Sequence, residues 1–303
     1  MEDMLWDLIV VGGGPVGCIA AKAAAENGLS VLLIEEHQEI GEPVQGAGLI
    51  SKSGLEALGI KLSQNFLLNQ VKGALFYSPS GTCFKIDAKE TKAFVVERKT
   101  FDKSLAKYAA SAGANFLAKT KACSISRNGK TLNIEVRSFG EPIQFQSKLL
   151  IGADGARSSI VKFAGLKPIN FEEILIGLEY DVTNVNVDPN FVELYFGNKV
   201  APGFFAWIIP KGDDLAQVGL AVNHRNTTAY SYLKNFMEKH PIASEKLRNV
   251  QIVEINSGLI PISAPIPKTI ADNIMIVGDA AGHTKATTGG GIVTGGICAK
   301  IAG

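Results

Sequence analysis

Cysteine is sparse in this 303-residue sequence: Cys18, Cys83, Cys123 and Cys298 lie far apart, and no two stand at metal-ligand spacing. That excludes a zinc ribbon or a disulfide-stapled scaffold and suggests reduced thiols in a cytoplasmic protein. The four histidines, His37, His224, His240 and His283, show no metal spacing either, so no metal is expected. Net charge is nearly absent, with 30 basic against 29 acidic residues leaving +1. Nothing in that balance attracts a phosphate-rich polymer, and nucleic acid is not expected as a partner. No apolar run approaches the roughly 18 residues that span a bilayer, and no basic residue precedes Lys22, so neither a transmembrane helix nor a signal peptide is expected. Internal repeats and low-complexity segments are missing too. What is present is 46% hydrophobic and 19% charged, a globular composition with chain enough for one large domain or two moderate ones.

The first forty residues carry the strongest local signal. Leu5 to Val11 is a short, β-branched-rich run of the kind that forms a buried parallel strand. It runs into Gly12-Gly13-Gly14-Pro15-Val16-Gly17, which satisfies GxGxxG through Gly12, Gly14 and Gly17. Val16, Ile19, Ala20, Ala23 and Ala24 then recur at helical spacing, Asn27-Gly28 supplies a stop, and Val31 to Ile34 reads as a second buried strand. Glu35 follows, 18 residues after Gly17. Strand, glycine turn, helix, strand and acid in this order form a dinucleotide-binding βαβ unit. Gly12 permits the tight turn, Gly14 the approach of a pyrophosphate, and Gly17 the close packing of helix on strand. The helix start at Pro15 and Val16 offers unpaired N–H groups to phosphate, and Glu35 is placed to accept from ribose hydroxyls.

Such a unit does not by itself separate FAD from NAD. Three later landmarks do. Val96 to Asp102 leads through Arg98 into a helix. Leu149 to Ser159 is a strand running into a Gly152-Ala153-Asp154-Gly155 turn. Ile274 to Gly282 is a strand ending in Gly278-Asp279, followed by Gly289-Gly290-Gly291 and an apolar helix start at Ile292. This order resembles the FAD-dependent reductase and hydroxylase superfamily over nearly the whole chain. The resemblance implies an α/β fold, a Rossmann-type FAD-binding domain with a parallel sheet, interrupted by an inserted antiparallel-sheet substrate domain. It implies that Arg98 contacts FAD near its diphosphate, that the backbone of Ala122 reads the adenine edge, and that Asp279 takes a ribityl hydroxyl. The Asp154 turn would buttress the pyrophosphate region, although Asp154 could equally be a turn former.

Two finer stretches, Glu42 to Ser51 and Gly278 to Ile292, look like the geranylgeranyl reductase family, particularly its archaeal digeranylgeranylglycerophospholipid reductases. A third, Pro202 to Pro210, is similar to that family's aromatic motif YxWxFP. The resemblance adds Gly46, Ala47, Gly48, Gly278, Gly290, Gly291 and Ile292 to the expected FAD contacts. It makes Gly46, Phe205, Trp207 and Pro210 candidates for the substrate pocket, while no residue is singled out as catalytic. Gly46 stands where many members carry cysteine in PVxCxG, and Phe205 where they carry tyrosine, so a thiol or phenol proton source is missing at both positions. The sequence also ends soon after its last motif where the family usually continues, which reads as a truncated copy.

The FAD-binding parts are expected at 1–72, 92–166 and 266–303, and the substrate domain at 73–91 and 167–265. Within the latter, Ile174 to Val182, Phe191 to Phe196, Phe204 to Pro210 and Leu215 to Val222 read as antiparallel strands, and Thr228 to Lys239 as a helix. The activity implied is FAD-dependent saturation of geranylgeranyl carbon–carbon double bonds in archaeal-type membrane-lipid precursors, by hydride transfer from reduced flavin. If Gly289 to Gly291 open the last helix, its N–H groups stabilise negative charge on the reduced ring. Phe204, Phe205, Trp207 and Ile209 would suit isoprenoid chains, or would simply be core. Two alternatives stay open: a flavin monooxygenase hydroxylating an aromatic substrate, and a non-catalytic flavin-binding remnant. The electron donor is left open among NADPH, ferredoxin and a reduced deazaflavin, as is peripheral contact with the inner face of the membrane. Of the histidines, only His283, beside the Gly278-Asp279 pair, is placed to take part.

Overall fold

The computed structural model describes residues 4–223 and 228–303, so His224 lies outside the described residues. The chain forms two compact units. The first takes in Met1–Pro43, Lys99–Glu173 and Pro261–Gly303, and the second Val44–Arg98 and Ile174–Ile260.

The first unit is built on an eight-stranded sheet. Its parallel part runs in the order Ile274–Ile276, Glu141–Gly152, Leu5–Val11, Val31–Ile34, Asn115–Leu117. Leu5–Val11 is central, and Ile9, Val10, Leu32 and Leu33 are fully buried. A strand covered on both faces has no polar side to show, which is why these segments are continuous apolar runs. Glu141–Gly152 is long enough to serve two neighbours. Its C-terminal half pairs in parallel with Leu5–Val11, and its N-terminal half pairs antiparallel with Thr131–Ser138, which in turn pairs with Thr120–Asn128. Ala122 therefore lies on the second strand after the helix Arg98–Ser111, because Asn115–Leu117 intervenes.

The second unit holds a seven-stranded sheet in the order Gln251–Pro261, Ile174–Thr183, Leu215–Val222, Phe205–Gly212, Phe191–Phe196, Gly73–Tyr77, Cys83–Asp87, and a smaller sheet of three strands. The four expected antiparallel strands form, with Phe204 just outside the third. Thr228 caps the following helix, Ala229–Lys239, by accepting from the Ser231 N–H. Gln251–Pro261 is an additional edge strand that the sequence pattern does not announce. Along the central strands, residues alternate between faces. Tyr180, Val182, Ala206, Ile208, Val218 and Leu220 point to a core shared with Leu233 and Phe236 of the helix. The other face is taken by Glu179, Asp181, Phe205, Trp207, Gln217 and Gly219.

The unit boundaries differ from the sequence expectation in two respects: residues 167–173 and 261–265, expected with the substrate domain, lie in the first unit, and a larger exchange runs the other way. Residues 44–72 and 92–98, expected with the nucleotide-binding part, lie in the second unit. Leu49–Ser51, Ala93–Val96 and Leu67–Val71 pair with one another as the three-stranded sheet. The Asn69 side-chain amide then donates to the carbonyls of Pro189 (2.8 Å) and Pro210 (3.0 Å). Hydrogen bonds across such sequence separations are invisible to local pattern.

Candidate active site

In the first unit the glycine turn has the shape the motif requires. Gly12 has φ +106°, and a Cβ there would lie 2.4 Å from the Ala153 carbonyl oxygen. A Cβ on Gly17 would lie 1.9 Å from the Gly12 oxygen, so the helix Pro15–Glu26 approaches its strand as only glycine allows. Gly14 caps that helix in extended conformation with no side-chain hydrogen bond, and a Cβ on it would meet nothing within 4 Å. An open approach to uncapped helix N–H groups is the cradle a pyrophosphate needs. Glu35 stands beside it. One carboxylate oxygen accepts from Gly13 N–H (2.6 Å), and the other from His37 N–H (2.9 Å). The second oxygen also meets His37 Nδ1 (2.6 Å), so it is the first, bound to Gly13 N–H alone, that keeps a lone pair for a ribose hydroxyl. The strand carrying Ala122 is tied to the same spot, since Thr120 N–H donates to the Glu35 carbonyl (2.7 Å). Ala122 itself is buried, where the ladder to Thr131–Ser138 slips between Glu135 and Val136.

The C-terminal motifs close on the same helix. A Cβ on Gly278 would lie 3.0 Å from a Val16 methyl, and one on Gly295 2.9 Å from the other. The helix Ile292–Ala302 thus packs against Pro15–Glu26 through small residues. A Cβ on Gly291, the cap of the last helix, would lie 2.6 Å from Asp279 Oδ1, which also accepts from Thr284 Oγ1 (3.0 Å). Asp279, Gly291 and Ile292 are therefore together, with Gly290 tied to the same loop by Lys285 N–H donating to its carbonyl (3.1 Å). His283 is turned inward: its Nδ1 accepts from Gly278 N–H (3.3 Å), and burial holds its pKa down. That geometry makes it a brace of the loop. Asp154 is likewise engaged locally. It accepts from Ser158 Oγ (2.6 Å) and from the N–H groups of Ser159 (2.7 Å) and Ile160 (3.1 Å), capping the short helix Ser159–Phe163. Against the glycine turn lie the Ala153 carbonyl and the Asp154 Cα, which a Cβ on Gly12 would approach to 2.4 and 3.1 Å.

In the second unit, Gly46, Ala47, Gly48 and Arg98 cluster. Gly46 and Gly48 have φ +90° and +68°. A Cβ on Gly48 would lie 2.3 Å from the Val96 oxygen. Arg98 donates through Nη1 to the carbonyls of Gln45 and Gly46. On the face of the large sheet opposite its helix-packed core, Phe205 stacks with Phe204 (ring centroids 4.1 Å) and meets Trp207 edge-on (6.1 Å). Pro210 does not join them. It shares the parity of Ala206 and Ile208, so it points to the opposite face, and its carbonyl accepts from Asn69.

Sequence reading missed a set of polar residues on that same face. A polar cleft of the second unit is lined by Gly46, Ala47, Arg98, Asp181, Lys211 and Gln217, among others. Lys211 pairs with Asp181. Glu179, only 4% exposed, lies beside them with its pKa pushed up to about 7, chiefly by burial. The signal available in the sequence was two carboxylates, Glu179 and Asp181, at alternate positions of an otherwise apolar strand.

Comparison with known proteins bears on both units. The family model "FAD dependent oxidoreductase" matches residues 7–167, and "Geranylgeranyl reductase catalytic domain" matches 173–260. The chain is 43% identical over 304 aligned residues to the digeranylgeranylglycerophospholipid reductase of Methanocaldococcus jannaschii, covering 99% of this chain and 76% of that one. Its identity to the enzyme of that name from Methanosarcina acetivorans is 39%, over 100% of this chain and 75% of the other. Among solved structures, a geranylgeranyl bacteriochlorophyll reductase-like protein from Thermoplasma acidophilum superposes with a TM-score of 0.92 at 34% identity, covering 98% of this chain and 77% of that chain.

Proposed function

Because the chain belongs to the digeranylgeranylglycerophospholipid reductase family of FAD-dependent oxidoreductases, we propose that it saturates the geranylgeranyl double bonds of archaeal-type membrane-lipid precursors. FAD is its cofactor, and when bound and reduced it supplies the hydride. In this reading Gly12, Gly14, Pro15, Val16 and Gly17 hold the pyrophosphate by backbone N–H groups, and Glu35 accepts from the ribose. Asp279 takes a ribityl hydroxyl, with Gly278, Gly290, Gly291 and Ile292 shaping its surroundings, and Ala122 offers its backbone to the adenine. Gly46, Ala47, Gly48 and Arg98, which cluster in the second unit, are further cofactor contacts in this reading, and Ala153 and Asp154 buttress the turn. The unit 1–43, 99–173 and 261–303 is the FAD-binding part, and 44–98 with 174–260 is the substrate part.

The observation that carries this reading is the aromatic face of Phe204, Phe205 and Trp207 within the segment matched by the geranylgeranyl reductase catalytic domain. An aromatic hydroxylase is not favoured by that match. Each methylene buried on such a face contributes about 0.8 kcal/mol, so a long isoprenoid is held without any polar contact. Electrons come from an external carrier, NADPH, ferredoxin or a reduced deazaflavin. No helix among the described residues is long and apolar enough to cross a membrane. The test is the product mass after anaerobic incubation of the flavin-reduced protein with a geranylgeranylated glycerophospholipid. Each saturated bond adds two hydrogens, and an unchanged lipid mass rejects the reading.

A further inference from the structure

A hydride alone does not saturate an alkene; the second carbon needs a proton. Neither a cysteine at position 46 nor a tyrosine at position 205 is present to give one. The face of the large sheet opposite its helix-packed core holds another acid, buried Glu179. Leu194, Trp207, Gly219 and Glu179 form one row across four adjacent strands, Leu194 opposite Trp207, Trp207 opposite Gly219, and Gly219 opposite Glu179. Gly219 makes the row continuous. A Cβ there would lie 2.7 Å from the Trp207 ring and 2.8 Å from Glu179 Cβ, so the indole and the base of the Glu179 side chain flank the bare backbone of Gly219. Resting on the reading of the protein as an isoprenoid reductase, we propose that Glu179 is the proton donor, giving its carboxyl proton to the alkene carbon that does not receive the hydride.

Charge accounting around Glu179 favours a neutral acid. The groups facing it are Asp181 on its own strand, Gln217 on the adjacent strand, Lys211 beyond it, Glu254 on the edge strand, and Arg98. Lys211 is paired with Asp181, and Arg98 donates to the Gln45 and Gly46 carbonyls. Glu179 Oε1, Asp181 Oδ1 and Gln217 Oε1 are all buried without a hydrogen-bond donor among the described residues. Three buried acceptors against one unpartnered donor, the buried Trp207 indole N–H, leave an excess of lone pairs, and protonating one carboxyl both removes a charge and supplies an O–H. Burial raises Glu179, Asp181 and Glu254 raise it further, and Arg98 and Lys211 only partly oppose them.

The step balances. The Glu179 O–H bond breaks and a C–H bond forms at the less substituted carbon of a trisubstituted double bond, where protonation leaves the developing positive charge on the more substituted carbon. The hydride that reduced FAD supplies forms the second C–H bond there. The alkene gains two electrons and two hydrogens, FAD is oxidised, and the carboxylate left on Glu179 regains its proton from solvent through the polar cleft.

Two measurements test this. In the FAD-loaded protein without lipid, infrared titration should show a protonated carboxyl lost as pH rises through about 7, and the signal should vanish in Glu179→Gln. In anaerobic single turnover with a geranylgeranylated glycerophospholipid, the wild-type rate should fall over the same pH range, because the acid form is the active one. Glu179→Gln should lose on the order of 10²- to 10⁴-fold and that pH limb together, with flavin content unchanged. Glu179→Asp, which keeps an acid, should retain the limb at a reduced rate and replaces the glutamine variant if that one does not fold. Wild-type saturation that Glu179→Gln matches in rate and pH profile overturns the proton-donor role alone. Absence of saturation in the wild type rejects the isoprenoid-reductase reading and the donor role with it. A Glu179 that titrates as an ordinary carboxylate likewise overturns the donor role.

Discussion

Gly46 shows how one position can be read two ways until its backbone is known. As a missing cysteine it suggests a lost proton source; as a residue at φ +90° it is a place where a side chain is strained. A Cβ there would also sit 3.2 Å from Arg98 Nη1 while Arg98 donates to the same residue's carbonyl. The backbone role therefore prevails, and Gly46→Cys is expected to lower stability by about 1–2 kcal/mol without speeding lipid saturation. Denaturant unfolding and single-turnover oxidation of the reduced flavin check the two halves. A faster cysteine variant would return the thiol to the mechanism. Glu179 is the complementary case: a glutamate in an apolar strand is unremarkable as a letter, and its significance comes from its burial and from an Oε1 without a hydrogen-bond partner among the described residues.

Among elements, the join between the large sheet and the short helix Ala243–Lys246 is the clearest. Lys246 Nζ lies 2.6 Å from Glu193 Oε1, whose side chain is 1% exposed, and the Tyr195 hydroxyl donates to the other oxygen. Tyr195 in turn stacks on Tyr77 (4.5 Å) of the parallel neighbour strand. Breaking such a pair from one side leaves a buried charge. Lys246→Met should cost about 3–5 kcal/mol in denaturant unfolding, and Lys246→Met with Glu193→Gln should recover most of it. Equal losses in the single and double variants would show that the pair does not carry the join. This network links Glu193, Lys246 and Tyr77, residues that no sequence window contains together. By contrast, the strand, glycine turn and helix at the N-terminus fall where the sequence puts them, because the motif, the apolar run and the stop signal all lie within one thirty-residue stretch.

At the scale of the molecule, cofactor binding should be visible as stability. FAD at about a hundred times its dissociation constant is expected to add roughly 2.7 kcal/mol to unfolding and to raise the thermal midpoint, with NAD giving no comparable rise. Glu35→Ala, which removes a charged acceptor beside the glycine turn, should weaken FAD by about 1–3 kcal/mol and reduce that rise. An unchanged rise would take Glu35 out of the site. The sequence by itself determined the dinucleotide-binding unit, the FAD landmarks, the inserted antiparallel strands and the family, because each is written in residues close together along the chain or in motifs whose order is diagnostic. Tertiary structure decided that residues 44–72 and 92–98 join the second unit, that Asp154 caps a helix, and that Pro210 faces away from Trp207. It also decided that Glu179 ends up neighbour to an indole across a glycine. Pairing register, side-chain parity and the balance of buried donors and acceptors depend on strands far apart in sequence, and they are set only when those strands meet.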